Sequence, residues 1–274
     1  MEYGLLGEKL SHSFSPQIHA QLADYEYTLK SLPQEELASF LKARDFRGLN
    51  VTIPYKKAVI AHLDSLSPIA QRIGAVNTIV NRGGTLYGDN TDYAGLCYAI
   101  SRAGIRLAQK KVLILGSGGT SKTAYAAAQD LGAREIFVIS RTGAHNYQNL
   151  SLHADAQVIL NTTPVGMFPS NGAAPLSLAQ FPALEGVVDV IYNPLKTALL
   201  LEAEALHIPY SNGLPMLVAQ AKAACELFLD THIADARVEQ ILHSLMRELR
   251  SIVFVGMPGS GKTPEPSQAM TLED

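Results

Sequence analysis

The chain has 274 residues, 47% of them hydrophobic and 17% charged, with 21 Gly and 14 Pro; that length accommodates one large domain or two modest ones around a sizeable core. Such a mixture excludes collagen, a coiled coil and wholesale disorder. A formal net charge of -3 gives no bulk electrostatic reason to expect nucleic acid or an anionic membrane as a partner, so an anionic ligand requires a local site.

Cys97 and Cys225 lie far apart in apolar stretches without metal-type spacing to histidine, so neither a disulfide framework nor a structural metal is expected. The first residues run straight into a strand-like segment with no basic leader, and no apolar run approaches the ~20 residues that span a bilayer. A cytoplasmic chain that handles a small molecule, as a monomer or homodimer, is the expectation.

Short apolar runs alternate with longer helical patterns along the chain, which predicts an α/β fold with a mostly parallel sheet. Strands are expected at 2–6, 48–53, 78–81 with 85–87, 111–115, 135–140, 158–161 and 187–190. Near the start, Ser13-Phe14-Ser15-Pro16 precedes a helical pattern, with Ser15 a natural N-cap and Pro16 a natural first helical residue. Ser13 adds a second hydroxyl at that helix N-terminus, an arrangement suited to a carboxylate. His12 and His19 are read as structural or surface residues.

Asn50 and Thr52 alternate along the next strand, and Lys56 stands just beyond Pro54. Polar groups at the carboxyl end of a strand point into a ligand crevice. Asn77 and the run Asp89-Asn90-Thr91-Asp92 add polar side chains at later strand ends and a helix start.

Val112-Leu113-Ile114-Leu115 runs into Gly116-Ser117-Gly118-Gly119-Thr120 and an alanine-rich helical stretch. Glycines there let backbone N–H groups and the positive end of a helix approach a pyrophosphate. The following strand ends in Ser140-Arg141-Thr142 with no carboxylate to bind a ribose 2′-hydroxyl, while Arg141 can pair with a 2′-phosphate, so NADP is favoured over NAD. Toward the C-terminus, two amphipathic Ala/Leu-rich stretches predict a helix pair that packs back on structure already built.

Taken together and in order, these motifs, with Asn161-Thr162-Thr163, Asp189-Val190-Ile191-Tyr192 and Asn212-Gly213-Leu214, resemble the shikimate dehydrogenase family from Tyr3 to about Leu249. The resemblance implies NADP-linked interconversion of shikimate and 3-dehydroshikimate, on the route to aromatic amino acids. It implies that Ser13 and Ser15 hold the substrate carboxylate while Thr52, Asn77, Asp92, Tyr192 and Gln220 surround the ring, with Lys56 and Asp92 as the catalytic pair. By the same resemblance, Gly116 to Thr120, Ser140, Arg141, Thr142, Ile191 and Gly213 line the NADP, and no metal takes part.

The implied division is a substrate domain of residues 1–93 and 213–249, a Rossmann-type NADP domain of residues 94–212 and a tail of residues 250–274. A quinate/shikimate dehydrogenase with relaxed cofactor choice is the alternative. Oxidation requires a neutral Lys56, so its rate is expected to rise toward alkaline pH.

Tyr192 and Lys196 match the Tyr-x-x-x-Lys spacing of short-chain dehydrogenases, but Pro194 between them breaks the helix that such a dyad needs. The family often has a further basic residue after the Arg-Thr pair, where this chain has Gly143-Ala144-His145, and commonly has glycine at the position of Pro215. Finally, Gly256-Met257-Pro258-Gly259-Ser260-Gly261-Lys262-Thr263 is a P-loop pattern that resembles the start of a shikimate kinase. Only 11 residues follow it, too few for a kinase, so the tail is read as a truncated fusion or remnant and expected to be disordered.

Overall fold

The computed structural model describes residues 2–10 and 13–249. His12 and the P-loop-like tail lie outside the described residues, as does the whole expectation about residues 250–274.

The first half runs β1 (Tyr3–Gly7), α1 (Ser15–Leu22), β2 (Tyr27–Ser31), α2 (Gln34–Ala43), β3 (Gly48–Val51), β4 (Ser65–Leu66), α3 (Pro68–Ile73), β5 (Thr78–Arg82), β6 (Thr85–Asp89) and α4 (Thr91–Arg102). The second half runs β7 (Lys111–Leu115), α5 (Gly119–Asp130), β8 (Glu135–Ile139), β9 (Val158–Asn161), β10 (Gly186–Asp189), α6 (Ala198–Ala205), β11 (Tyr210–Ser211), α7 (Leu214–Leu229) and α8 (Asp235–Glu248). No helix among the described residues is long and apolar enough to cross a membrane.

Two sheets result. The first has the order β2-β1-β3-β5-β6-β4, and β5 pairs antiparallel with both β3 and β6. Gly83 and Gly84, both at positive φ, make the tight reversal between β5 and β6, which turns an otherwise parallel sheet into a mixed one. The second sheet is parallel throughout, in the order β11-β10-β9-β7-β8. Its chain reverses direction across the sheet between β7 and β9, and the carboxyl ends of such a strand pair open a ligand crevice.

Strands β1 and β7 are buried along their whole length, as the apolar residues that dominate them require. Helix α7 lays Ala224 and Phe228 against Tyr3 and Val80 on one face of the first sheet. Leu37, Leu41, Val59 and Ala70 cover the other face. Helices α7 and α8 also bury Val218, Cys225, Ile241 and Leu245 around Ile18 and Leu22 of α1. The C-terminal helix pair therefore does return to the N-terminal unit.

Helix α4 is continuous from Thr91 to Arg102, so the sequence boundary at residue 93 falls inside its first turn. The contact between α4 and α7 depends on Gly95: a Cβ there would stand 2.5 Å from the Met216 carbonyl oxygen and 2.9 Å from Gln220 Cβ. Only a glycine lets these backbones approach so closely. The approach carries Asp92, on α4, toward Gln220, on α7.

Candidate active site

Lys56 lies in the turn that follows β3, and its ammonium donates to Asp92 Oδ2 at 2.6 Å. Asp92 occupies the first turn of α4, where the positive end of the helix favours a carboxylate. Its other oxygen accepts from Asn77 Nδ2 at 2.9 Å. Asn77 Oδ1 in turn accepts the backbone N–H of Thr91 at 2.7 Å, which caps α4 from outside its own sequence. Asn90, the residue at the cap position, makes no side-chain cap bond. One buried amide thus both starts the helix and orients the carboxylate that the helix carries.

At α1 the expected cap is corrected. Phe14 holds the cap position without a side-chain bond, and Ser15 is the first helical residue. Ser15 donates its backbone N–H to Ser13 Oγ at 3.2 Å, so Ser13 supplies the hydroxyl and the Ser15 side chain is left for the cavity.

These groups converge. A cavity of about 360 Å³ is lined by Ser13, Ser15, Thr52, Lys56, Asn77, Asp92, Tyr192 and Gln220, which are all the substrate and catalytic residues expected from sequence. Lys9, Asn50, Val190 and Met216 also line it. Asn50 was legible as a polar strand position, and Met216 opens the stretch Met216 to Gln220 that belongs to the family-like motifs; Lys9 carries no motif that marks it. Tyr192 packs edge-on against Phe14, with ring centroids 5.9 Å apart, and burial raises its hydroxyl above the ordinary tyrosine range.

A second cavity of about 820 Å³ adjoins the first and shares Ser13, Thr120, Val190 and Tyr192 with it. Gly118, Gly119 and Ile191 line this second space, together with Thr162, Thr163 and the exposed Ile53, Met167 and Phe168. Gly116, at φ 99°, turns the chain out of β7 and packs against Thr162 and Thr163 at the end of β9.

The loop fits a dinucleotide. Cβ atoms built on Gly118 and Gly119 would meet nothing within 4 Å, so the backbone borders open space. The α5 N-terminus has no side-chain cap, which leaves its first N–H groups available to phosphate oxygens.

The remaining expected cofactor residues lie at the edges. Gly213 precedes α7 and donates its N–H to the Ile191 carbonyl at 2.8 Å. Ser117 opens onto a neighbouring hollow beside Lys122. Ser140, Arg141 and Thr142 follow β8 and line neither cavity; Arg141 is exposed. His145 turns away from the loop edge, with Nδ1 3.0 Å from His153 Nε2 and its ring edge-on to Phe137.

Asp189, at the end of β10, anchors the wall between the cavities. Its carboxylate accepts from Thr197 Oγ1 at 2.7 Å, Asn161 Nδ2 at 3.0 Å and the Ile191 N–H at 3.1 Å. Burial raises its pKa to about 6, against the lowering effect of those three donors. Beyond it, residues 191–197 are non-helical and Lys196 pairs with Glu204 at 2.6 Å on the surface. The Tyr-x-x-x-Lys spacing is thus no dyad.

Residues 5–79 match the family described as the shikimate dehydrogenase substrate binding domain. Over 263 residues the chain is 34% identical to a shikimate dehydrogenase (NADP(+)) of Clostridium beijerinckii, covering 89% of this chain and 97% of that protein. Among solved structures it is similar to a chorismate mutase/shikimate 5-dehydrogenase fusion protein from Clostridium acetobutylicum (TM-score 0.86, 34% identity, 91% of this chain and 98% of that one). It is also similar to the Thermus thermophilus shikimate 5-dehydrogenase in complex with NADP(H) and shikimate (TM-score 0.80, 35% identity, 89% and 99%).

Proposed function

The chain belongs to the shikimate dehydrogenase family, and from that premise we propose that it interconverts shikimate and 3-dehydroshikimate with NADP(H), using Lys56 and Asp92 as its catalytic pair. The observation that carries the assignment of roles is the convergence of Lys56, Asp92 and Asn77 with Ser13 and Ser15 on one 360 Å³ cavity beside the glycine loop.

Ser13 and Ser15 hold the substrate carboxylate at one end of the cavity. Thr52, Asn77, Tyr192 and Gln220 surround the ring, and Asp92 with Lys56 meets the hydroxyl that is oxidised. The cofactor's phosphates lie against Gly116, Ser117, Gly118, Gly119 and Thr120 at the α5 N-terminus. Ser140, Arg141 and Thr142 face its adenosine end, and Ile191 and Gly213 wall the nicotinamide. This nicotinamide supplies the hydride acceptor or donor when bound.

Lys56 handles the proton. In reduction its ammonium donates to the oxygen that gains negative charge, which also stabilises that charge as it develops. In oxidation the neutral amine takes the hydroxyl proton as the carbon releases its hydride. Asp92 holds the amine in place and accepts from the substrate hydroxyl, so geometry is set before chemistry begins.

The domain division follows the same reading: residues 1–93 and 213–249 bind substrate, and residues 94–212 bind NADP. Turnover measured with shikimate and with quinate, each with NADP+ and with NAD+, tests the function. The expected result is highest kcat/KM for shikimate with NADP+; preference for quinate, or for NAD+, would replace this reading with the broader quinate/shikimate one.

A further inference from the structure

Tyr27 stands on the edge strand β2, away from every motif that marks the site, yet its hydroxyl donates to Asn50 Oδ1 at 2.7 Å. The direction of that bond is forced. Asn50 Nδ2 faces the Asn77 backbone carbonyl at 3.4 Å and Thr78 Oγ1 at 3.2 Å, and a carbonyl can only accept. The Asn50 nitrogen therefore points at β5, its oxygen points at β2, and Tyr27 is the donor.

Asn50 is 5% exposed, so without Tyr27 its buried oxygen would keep only the His19 ring beside it, a weaker hold that leaves the amide freer to flip. A flip would set an oxygen against the Asn77 carbonyl. Strand β5 begins beside Asn77, whose side chain orients Asp92. The Ser15 side chain lies beside the same Tyr27 hydroxyl and partly offsets the rise that burial causes in it. Tyr27 itself is fixed by His19, stacked on its ring at 3.9 Å.

We propose that Tyr27 is a positioning residue for the reaction: by locking the Asn50 amide it holds Asn77, and through Asn77 the carboxylate of Asp92. This rests on the function proposed above. The phenol lines neither cavity; it lies beside Ser15 at one end of the substrate cavity and reaches the Lys56–Asp92 end through Asn50 and Asn77.

Tyr27→Phe removes one oxygen and little volume. It is expected to lower kcat for shikimate oxidation about five- to tenfold, the scale of one lost buried hydrogen bond, with KM for NADP+ unchanged. Asn50→Asp keeps the acceptor for Tyr27 but loses both donors to β5, so it should lose as much with Tyr27 intact. In an Asn50→Ala background, Tyr27→Phe should cost nothing further.

Tyr25→Phe is the packing control, because Tyr25 bonds His19 and not Asn50; it should shift the melting temperature but leave kcat in place. Wild-type kcat in Tyr27→Phe, an equal loss in the Asn50→Ala background, or an equal loss in Tyr25→Phe would each overturn the proposal. A wild-type enzyme inactive toward shikimate would instead sink the functional reading, so the two failures are distinct.

Discussion

Lys56 Nζ and Asp92 Oδ2 meet at 2.6 Å across 36 positions of sequence, joining the turn after β3 to the first turn of α4. Their side chains are 29% and 18% exposed, shielded enough for the pairing to be ordered and open enough for a substrate to reach both. On the proposed reading, the carboxylate serves to aim the amine. Asp92→Asn should therefore lower kcat by about ten- to a hundredfold with a smaller change in KM for shikimate, measured by steady-state kinetics. Unchanged kcat would remove Asp92 from the machinery.

The ring of His19 is fully buried among Tyr25, Tyr27 and Phe228. Burial lowers its pKa to about 3, with Asn50 offsetting part of the fall. The folded state thus refuses a proton that the unfolded chain accepts below about pH 6.5. Stability from this source is complete above that value and is lost as the pH falls from about 6.5 toward 3. Melting temperatures taken between neutral pH and about pH 5 should fall more steeply for the wild type than for His19→Gln; parallel slopes would show that other groups govern acid unfolding.

Arg141 is exposed after β8 and makes no ion pair among the described residues, while His145 is engaged with His153. On the proposed reading, the 2′-phosphate then depends mainly on one guanidinium. Arg141→Ala should weaken NADP+ binding by about tenfold or more and leave NAD+ binding nearly as it was. Binding of each dinucleotide followed by fluorescence titration gives the comparison. An equal loss for both would assign Arg141 to loop structure instead of phosphate recognition.

Much of this site could be read from the chain because its residues stand at strand ends and helix starts, where polar side chains among apolar runs are conspicuous. Ser13, Thr52 and Asn77 are of this kind and face one cavity; Gln220, inside α7, was marked only by the family resemblance. What escaped was tertiary. Strand β2 is half-exposed along the sheet edge and lacks an apolar run, so neither it nor Tyr27 carried a signal. Ser15 reads as a cap by composition, yet Ser13 takes the N–H; Asn77 caps α4 from 14 residues away, a distance that local propensity does not reach. The antiparallel turn at β5 is likewise decided by sheet pairing, since the apolar content of 78–81 suits either direction.

The most direct test of the account is Lys56→Ala, assayed by NADPH formation from shikimate and NADP+ with shikimate binding measured in parallel. The account predicts that kcat falls by about a hundredfold or more while the dissociation constant for shikimate changes far less, because in this account the amine carries the proton and Asp92 only orients the hydroxyl and the amine. Near-normal turnover in that variant would contradict it, and the proton would have to be handled elsewhere in the cavity.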